Sequence, residues 1–210
     1  MGHYFDEEPD APSMPRDVEL WLPDMSLTLT TDRGVFGYGQ IDAGSKLLLL
    51  KVPPPPVAGN LLDLGCGIGT IALPMAKRSP NATVWAVDVN SRARELCLAN
   101  SATNGVTNVN AVAPEDVPTD ITFACIWSNP PIRVGKAALH EMLLTWLARL
   151  ATDGRVAMVV HKHLGADSLQ RWLTEQGYPT TRLASSSGYR ILQTSKRVFA
   201  ATPGGTETLV

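Results

Sequence analysis

The stretch that most constrains this chain is Leu61-Leu-Asp-Leu-Gly-Cys-Gly-Ile-Gly69, an apolar run that breaks into three alternating glycines. Such a run ending in glycine reads as a buried strand, and the following Thr70–Arg78 reads as a helix. Glycines at 65, 67 and 69 permit a tight turn and leave no side chain between backbone and ligand. The helix behind them offers free N–H groups and the positive end of its dipole. The spacing departs from the dinucleotide pattern G-x-G-x-x-G: the third glycine comes one residue early, and Thr70 holds its place. The loop carries no Lys, which excludes a phosphate-cradling P-loop. Asp63 at the strand tip would repel a pyrophosphate and pair with a cationic ligand, such as the amino group of S-adenosylmethionine (AdoMet). A strand-to-helix turn with no ligand is the alternative.

Around this loop the pattern is regular. Strands are expected at Asn60–Gly65, Thr83–Val89, Val109–Ala113, Phe123–Asn129 and Arg155–Val160. Helices are expected at Thr70–Arg78, Ser91–Asn104, Lys136–Ala151 and Ala166–Gln176. That alternation predicts an α/β fold, a parallel sheet covered on both faces. Thr180–Ser185 and Tyr189–Lys196, split by a short Gly-bearing turn, predict an antiparallel hairpin at the sheet edge. Upstream, Ser26–Thr31 alternates like a short strand, and Ser45–Val52 reads as a helix stopped by Pro53–Pro56. Residues 1–24, with four prolines and clustered acids, read as a flexible lead-in. Residues 25–199 are then one domain, and 200–210 a disordered tail.

The apolar fraction of 44% and charged fraction of 18% suit a globular domain, and 210 residues suit one such domain. No apolar run reaches the ~20 residues that cross a bilayer, and the acidic, proline-bearing start is neither signal nor transit peptide. Cys66, Cys97 and Cys125 form no CxxC or Cys/His pairing, which argues against a disulfide framework or a metal site and for a cytoplasmic protein. The net charge of −2 excludes binding to nucleic acid by bulk charge alone. Contact with a polyanion has to come from a local patch or a partner domain.

Two further segments fall at expected strand ends. Asp88, about 20 positions beyond the glycines, is placed to accept hydrogen bonds from ribose hydroxyls; a solvated carboxylate or cap is the alternative, with Asn90 the better cap before Ser91. Glu115 and Asp116 either reach an adenine amine or occupy an exposed turn. Asn129-Pro130-Pro131-Ile132 ends another strand. Its prolines remove two donors, and Asn129 adds a side-chain carbonyl. Converging acceptors hold an NH2 group and orient its lone pair, which suits methyl transfer to a weakly nucleophilic amine, where positioning does most of the work.

The remaining candidates are plainer. His161-Lys162-His163 lacks further metal ligands and reads as a positively charged loop. Arg182, Arg190, Lys196 and Arg197 form either a local basic patch or a charged sheet edge that resists aggregation. Trp127, Trp146 and Trp172 read as core.

Taken together, LLDLGCGIGTIAL, AVDVNSRARELCLANSATNGV, SNPPIRVGK, the earlier GVFGYGQIDAGSKLLLL and the closing GYRILQTSKR resemble class I AdoMet-dependent methyltransferases. Within them the likeness is to the ribosomal RNA small-subunit methyltransferase C family, over about Leu27 to Arg197. The resemblance implies a Rossmann-like, mostly parallel seven-stranded sheet and guanine N2 of small-subunit ribosomal RNA as methyl acceptor. It implies rRNA or the small ribosomal subunit as partner. AdoMet would lie on Asp63, Gly65, Cys66, Gly67, Gly69, Asp88 and Val89, with Asp116 reaching its adenine. Asn129 and Pro130 would hold the target amine, with Pro131 and Ile132 shaping its pocket. Arg133, Lys136 and Arg190 would contact RNA. Two departures stand out: Ile132-Arg133 replaces the family's aromatic-His, removing a stacking face, and the chain matches only the catalytic half of two-domain members. A protein glutamine amide or small amine as acceptor, and a silent AdoMet-binding assembly module, are the competing readings. The oligomeric state is not legible.

Overall fold

A computed structural model describes residues 11–196. Seven strands form one sheet: β3 (Ala58–Leu64), β4 (Asn81–Val87), β5 (Val109–Val112), β6 (Phe123–Ser128), β7 (Leu150–His161), β8 (Thr180–Ser186) and β9 (Tyr189–Ser195). Their order is β5-β4-β3-β6-β7-β9-β8. Only β9 runs against its neighbours; the remaining pairings are parallel. This is the expected Rossmann-like arrangement with its C-terminal hairpin.

Alternation explains the two cores. Leu61, Cys125, Trp127, Ala157, Val159 and Ile191 face one way, onto α1 (Ala43–Lys51), α2 (Ala72–Arg78) and α3 (Ser91–Thr103). Leu62, Ile126, Val156, Met158, Val160 and Leu192 face the other, onto α4 (Lys136–Leu147) and α5 (Ala166–Glu175). A strand buried on both faces reads as continuous apolar sequence because both sets of side chains leave water. β7 begins five residues before the expected Arg155. Leu150 pairs with Phe123 across an irregularity, and Gly154 admits the bend, since a Cβ there would lie 2.8 Å from Leu150 Cδ1.

The N-terminal stretch corrects the expectation of a flexible lead-in. Arg16–Leu22 is a strand, β1, paired antiparallel with β2 (Met25–Thr31) in a separate hairpin. Leu20, Leu22, Leu27 and Leu29 join the α1–α3 core, while Asp17 and Glu19 face outward and accept from the hydroxyls of Thr30 and Thr28. The inward leucines were hidden among acids and prolines. Asn100 and Asn104, one turn apart on α3, close the edge of β2. Asn100 accepts from Thr30 N–H (2.8 Å) and donates to Thr30 O (3.0 Å), and Asn104 donates to Thr28 O (2.8 Å). Asn100 also donates to Ile68 O in the glycine loop (2.9 Å). Residues 1–10 and the expected tail 200–210, with Arg197, lie outside the described residues.

Among the described residues no helix is long and apolar enough to cross a membrane, and no group of three or more His, Cys, Asp or Glu side chains is placed to hold a metal ion.

Candidate active site

The carboxyl ends of β3, β4 and β6 meet at one cavity of about 210 Å³, the edge where open parallel sheets take ligands. The glycine loop forms its floor. Gly65 and Cys66 donate N–H to Val87 O (2.8 and 3.0 Å), which fixes the loop against β4. Gly67 donates to Asp88 Oδ2 (2.8 Å), and Asn90 N–H donates to the other oxygen (3.0 Å). Burial raises the Asp88 carboxyl above its usual range, against the pull of these two amides.

Of the residues expected to bind or react, Gly65, Gly67, Asp88, Val89, Asn129, Pro130 and Pro131 line this cavity. Cys66 lines a smaller recess that shares Phe36, Gly65, Gly67 and Asn129 with it; the neighbouring Cys97 thiol and burial push the Cys66 thiol up. Gly67 has φ +52°, and a Cβ there would meet nothing within 4 Å, so its bare face opens on ligand space. Gly69 differs: a Cβ would lie 2.4 Å from Leu73 Cδ1 and 3.0 Å from Cys97 Sγ. It serves close packing of the loop on α2 and α3 and does not line the cavity.

Asp63 lies beneath the loop, fully buried, with neither carboxylate oxygen hydrogen-bonded. Burial, with the Asp88 charge adding to it, pushes its carboxyl up to about 8. Other expected residues stand off the cavity. Asp116 is exposed in a 3-10 turn (Pro114–Asp116), where Pro114 takes the wall position instead. Ile132 packs on the α4 core, because the turn at Pro131 sends the chain there. Arg133 and Lys136 are exposed just beyond. Arg190 is paired with Asp167 and is not a free cation.

The Asn129 side chain is fixed by two residues that the motif reading did not single out. Asp42 caps α1, its Oδ2 accepting from Ser45 N–H (2.7 Å) and from Asn129 Nδ2 (2.8 Å). Ser45 Oγ lies 3.0 Å from the same Nδ2. A carboxylate only accepts, so the group facing Asp42 has to be the NH2, and Oδ1 is left as the free acceptor. The signal was present in GVFGYGQIDAGSKLLLL as an Asp three residues before Ser, a helix N-cap pattern. Val35, Phe36, Met142 and Trp146 add to the cavity wall and were not singled out from the sequence as site residues. Pro130 is less free than expected. Its carbonyl accepts from Ile132 N–H (2.8 Å) in an inverse γ-turn, with Pro131 at φ −74° and ψ 74°, leaving one lone pair.

Sheet order, glycine floor and N-P-P edge together define a class I, AdoMet-dependent methyltransferase. The chain belongs to the methyltransferase small domain family, which it matches over residues 26–193. It is 35% identical to the uncharacterized protein YbxB of Bacillus subtilis, covering 92% of this chain and 98% of that one. It is 34% identical to ribosomal RNA small subunit methyltransferase C of Aeromonas hydrophila over 73% of this chain, but spans only 47% of that relative. Among solved structures it superposes on the Thermus thermophilus 16S rRNA N2 G1207 methyltransferase RsmC, in complex with AdoMet and guanosine. There the TM-score is 0.76 at 26% identity, covering 90% of this chain and 52% of that one. The chain thus spans about half the length of the RsmC relatives it matches.

The site fits AdoMet on its own terms. An orphaned, buried carboxylate at Asp63 asks for a cation, the bare face of Gly67 leaves room beside the loop, and Asp88 offers two acceptor oxygens at the next strand end.

Proposed function

We propose that this chain N-methylates an exocyclic amine, guanine N2 of small-subunit ribosomal RNA, in the cytoplasm where that RNA resides. The observation that carries the reading is the fixed amide of Asn129: Asp42 and Ser45 hold its NH2, so Oδ1 meets the substrate as an acceptor. An acceptor at that point selects a donor, and an exocyclic NH2 is the donor with a lone pair to spare. The remaining lone pair of the Pro130 carbonyl takes the second amine hydrogen. With both hydrogens held, the nitrogen lone pair is oriented and few wrong approaches remain.

The bound AdoMet supplies the electrophilic methyl group. Asp63 balances its amino group, Gly65 and Gly67 let the backbone approach, and Asp88 accepts from ribose. Pro131, Trp146 and Met142 keep the acceptor edge dry. No residue near Asn129 is required as a strong base, because the proton leaves an already alkylated, acidic nitrogen to solvent. Support for guanine comes from the N2 G1207 specificity and bound guanosine of the Thermus relative, and support for small-subunit rRNA from the name of the Aeromonas one.

The test uses methyl-labelled AdoMet with small ribosomal subunits and naked rRNA from cells lacking this protein, digested to nucleosides. Label in N2-methylguanosine is the expected result. Label only in protein or small amines, with AdoMet binding intact, overturns the substrate.

A further inference from the structure

We propose that Arg16, Arg33 and Tyr38 form a phosphate-binding lip that grips the RNA backbone beside the cavity mouth. This rests on the RNA reading above.

The loop from Arg33 to Gln40 borders both cavities through Val35, Phe36, Gly37 and Gln40. On it, the Tyr38 ring gathers two guanidinium groups, Arg16 Cζ at 5.4 Å and Arg33 Cζ at 5.9 Å from its centroid. Both arginines are exposed, and neither forms an ion pair among the described residues. Two like charges brought onto one ring without a carboxylate repel each other. An anion close to both guanidinium groups offsets that repulsion, and guanidinium forks match phosphate oxygens.

The placement is built and not an accident of long side chains. Thr31 Oγ1 donates to Arg16 O (3.0 Å) and accepts from Gly39 N–H (2.9 Å), which locks the start of β1 to the loop. The Arg16 stem runs along Gly39, its Cδ 3.8 Å from where a Cβ would stand. Strand alternation places Arg16 on the same face as Val18 and Leu20, exposed at the strand's start, while Asp17 and Glu19 project from the opposite face. Asp32, next to Arg33 in the chain, is 5% exposed and occupied by Ser13, Met14 N–H, Arg33 N–H and Arg92. Arg133 and Lys136 stand exposed beyond Pro131 on the cavity wall. A strand crossing the mouth would therefore meet cations on the N-terminal loop and on the segment after Pro131. This supplies the local basic patch that a net charge of −2 otherwise denies.

The experiment measures binding of a fluorescein-labelled RNA hairpin, with guanine in its loop, across a salt series. Wild type is compared with Arg16→Gln/Arg33→Gln and Arg16→Lys/Arg33→Lys, and the same RNA serves as methyl acceptor. The Gln variant is expected to bind at least tenfold more weakly at low salt. Its log–log salt slope should be shallower by about 1.4, two phosphates at roughly 0.7 each on single strands. AdoMet affinity and melting temperature should match wild type, and the Lys variant should keep most of the slope. Equal affinity and slope in the Gln variant overturn the lip, even if the RNA is methylated and the guanine reading stands. Loss of slope, with no methyl transfer by wild type, supports the lip and sinks the guanine reading instead. No RNA binding by wild type at low salt overturns the lip outright.

Discussion

The cavity has a floor and an N-terminal wall that are built in different ways. The floor, from the ends of β3, β4 and β6, is backbone held in place by glycine and proline, and its contacts are local to three neighbouring strands. The wall, from Arg16 to Ser45, works through side chains fixed by partners far along the chain, as Asp42 reaching Asn129 and Asn100 reaching Thr30 illustrate. Backbone sites are written in short motifs because glycine and proline act where they stand. Side-chain sites depend on the fold to bring distant residues together, so they leave little trace in any one segment.

The sharpest way to break this comparison is at the point where floor and wall touch. Asn129→Asp would set a second carboxylate against Asp42, where the two cannot both ionise. We expect kcat to fall about 10²–10³-fold, the scale of losing one aimed hydrogen-bonding group. Adding Asp42→Asn restores an NH2 facing the new carboxylate and should recover at least tenfold in steady-state assays; a double variant no better than the single one refutes the orienting role.

Within the floor itself, Gly69→Ala should cost about 1–3 kcal/mol in urea unfolding through overpacking, since its Cβ would collide with Leu73 and Cys97. Gly67→Ala should cost only about 1 kcal/mol yet weaken AdoMet more than Gly69→Ala does. On the wall, Asn100→Ala removes three hydrogen bonds and should cost about 2–3 kcal/mol at roughly 1 kcal/mol each.

The smallest effect concerns Asp63. With its carboxyl pushed up to about 8, the ligand-free protein holds that proton at neutral pH. A cationic amino group favours the ionised form, so AdoMet binding releases a proton and tightens as pH rises towards 8; calorimetry in two buffers of different ionisation heat reads this directly. For stability the sign is opposite. The folded value lies above the unfolded one, so the contribution is fully present below about 4 and is lost as pH rises through 8. Asp63→Asn should therefore melt higher than wild type at pH 8, by roughly 2–4 °C per kcal/mol, and match it near pH 4.

The parallel sheet was legible because strands such as Phe123–Trp127 and Val156–Val160 are buried on both faces and leave unbroken apolar runs. The hairpin strand β1 was not, because half its residues face water and its burial relies on α1 and α3. In the site, Gly65, Gly67, Asp88 and Asn129 were readable from type and spacing. The surroundings of Asp116 and Arg190 were not readable, since a carboxylate in a 3-10 turn and an arginine beside Asp167 look the same in sequence as free ones.

Asn100 has one consequence for how the two parts respond to ligands. A single amide grips the edge of β2 and the carbonyl of Ile68, so the hairpin and the glycine loop cannot loosen independently. A ligand that quiets the loop is therefore expected to protect the Thr30 amide from exchange with solvent. If the proposed lip binds RNA, thermodynamic reciprocity requires RNA and cofactor to change each other's affinity by the same factor, so the donor would be held best when its target is already in place.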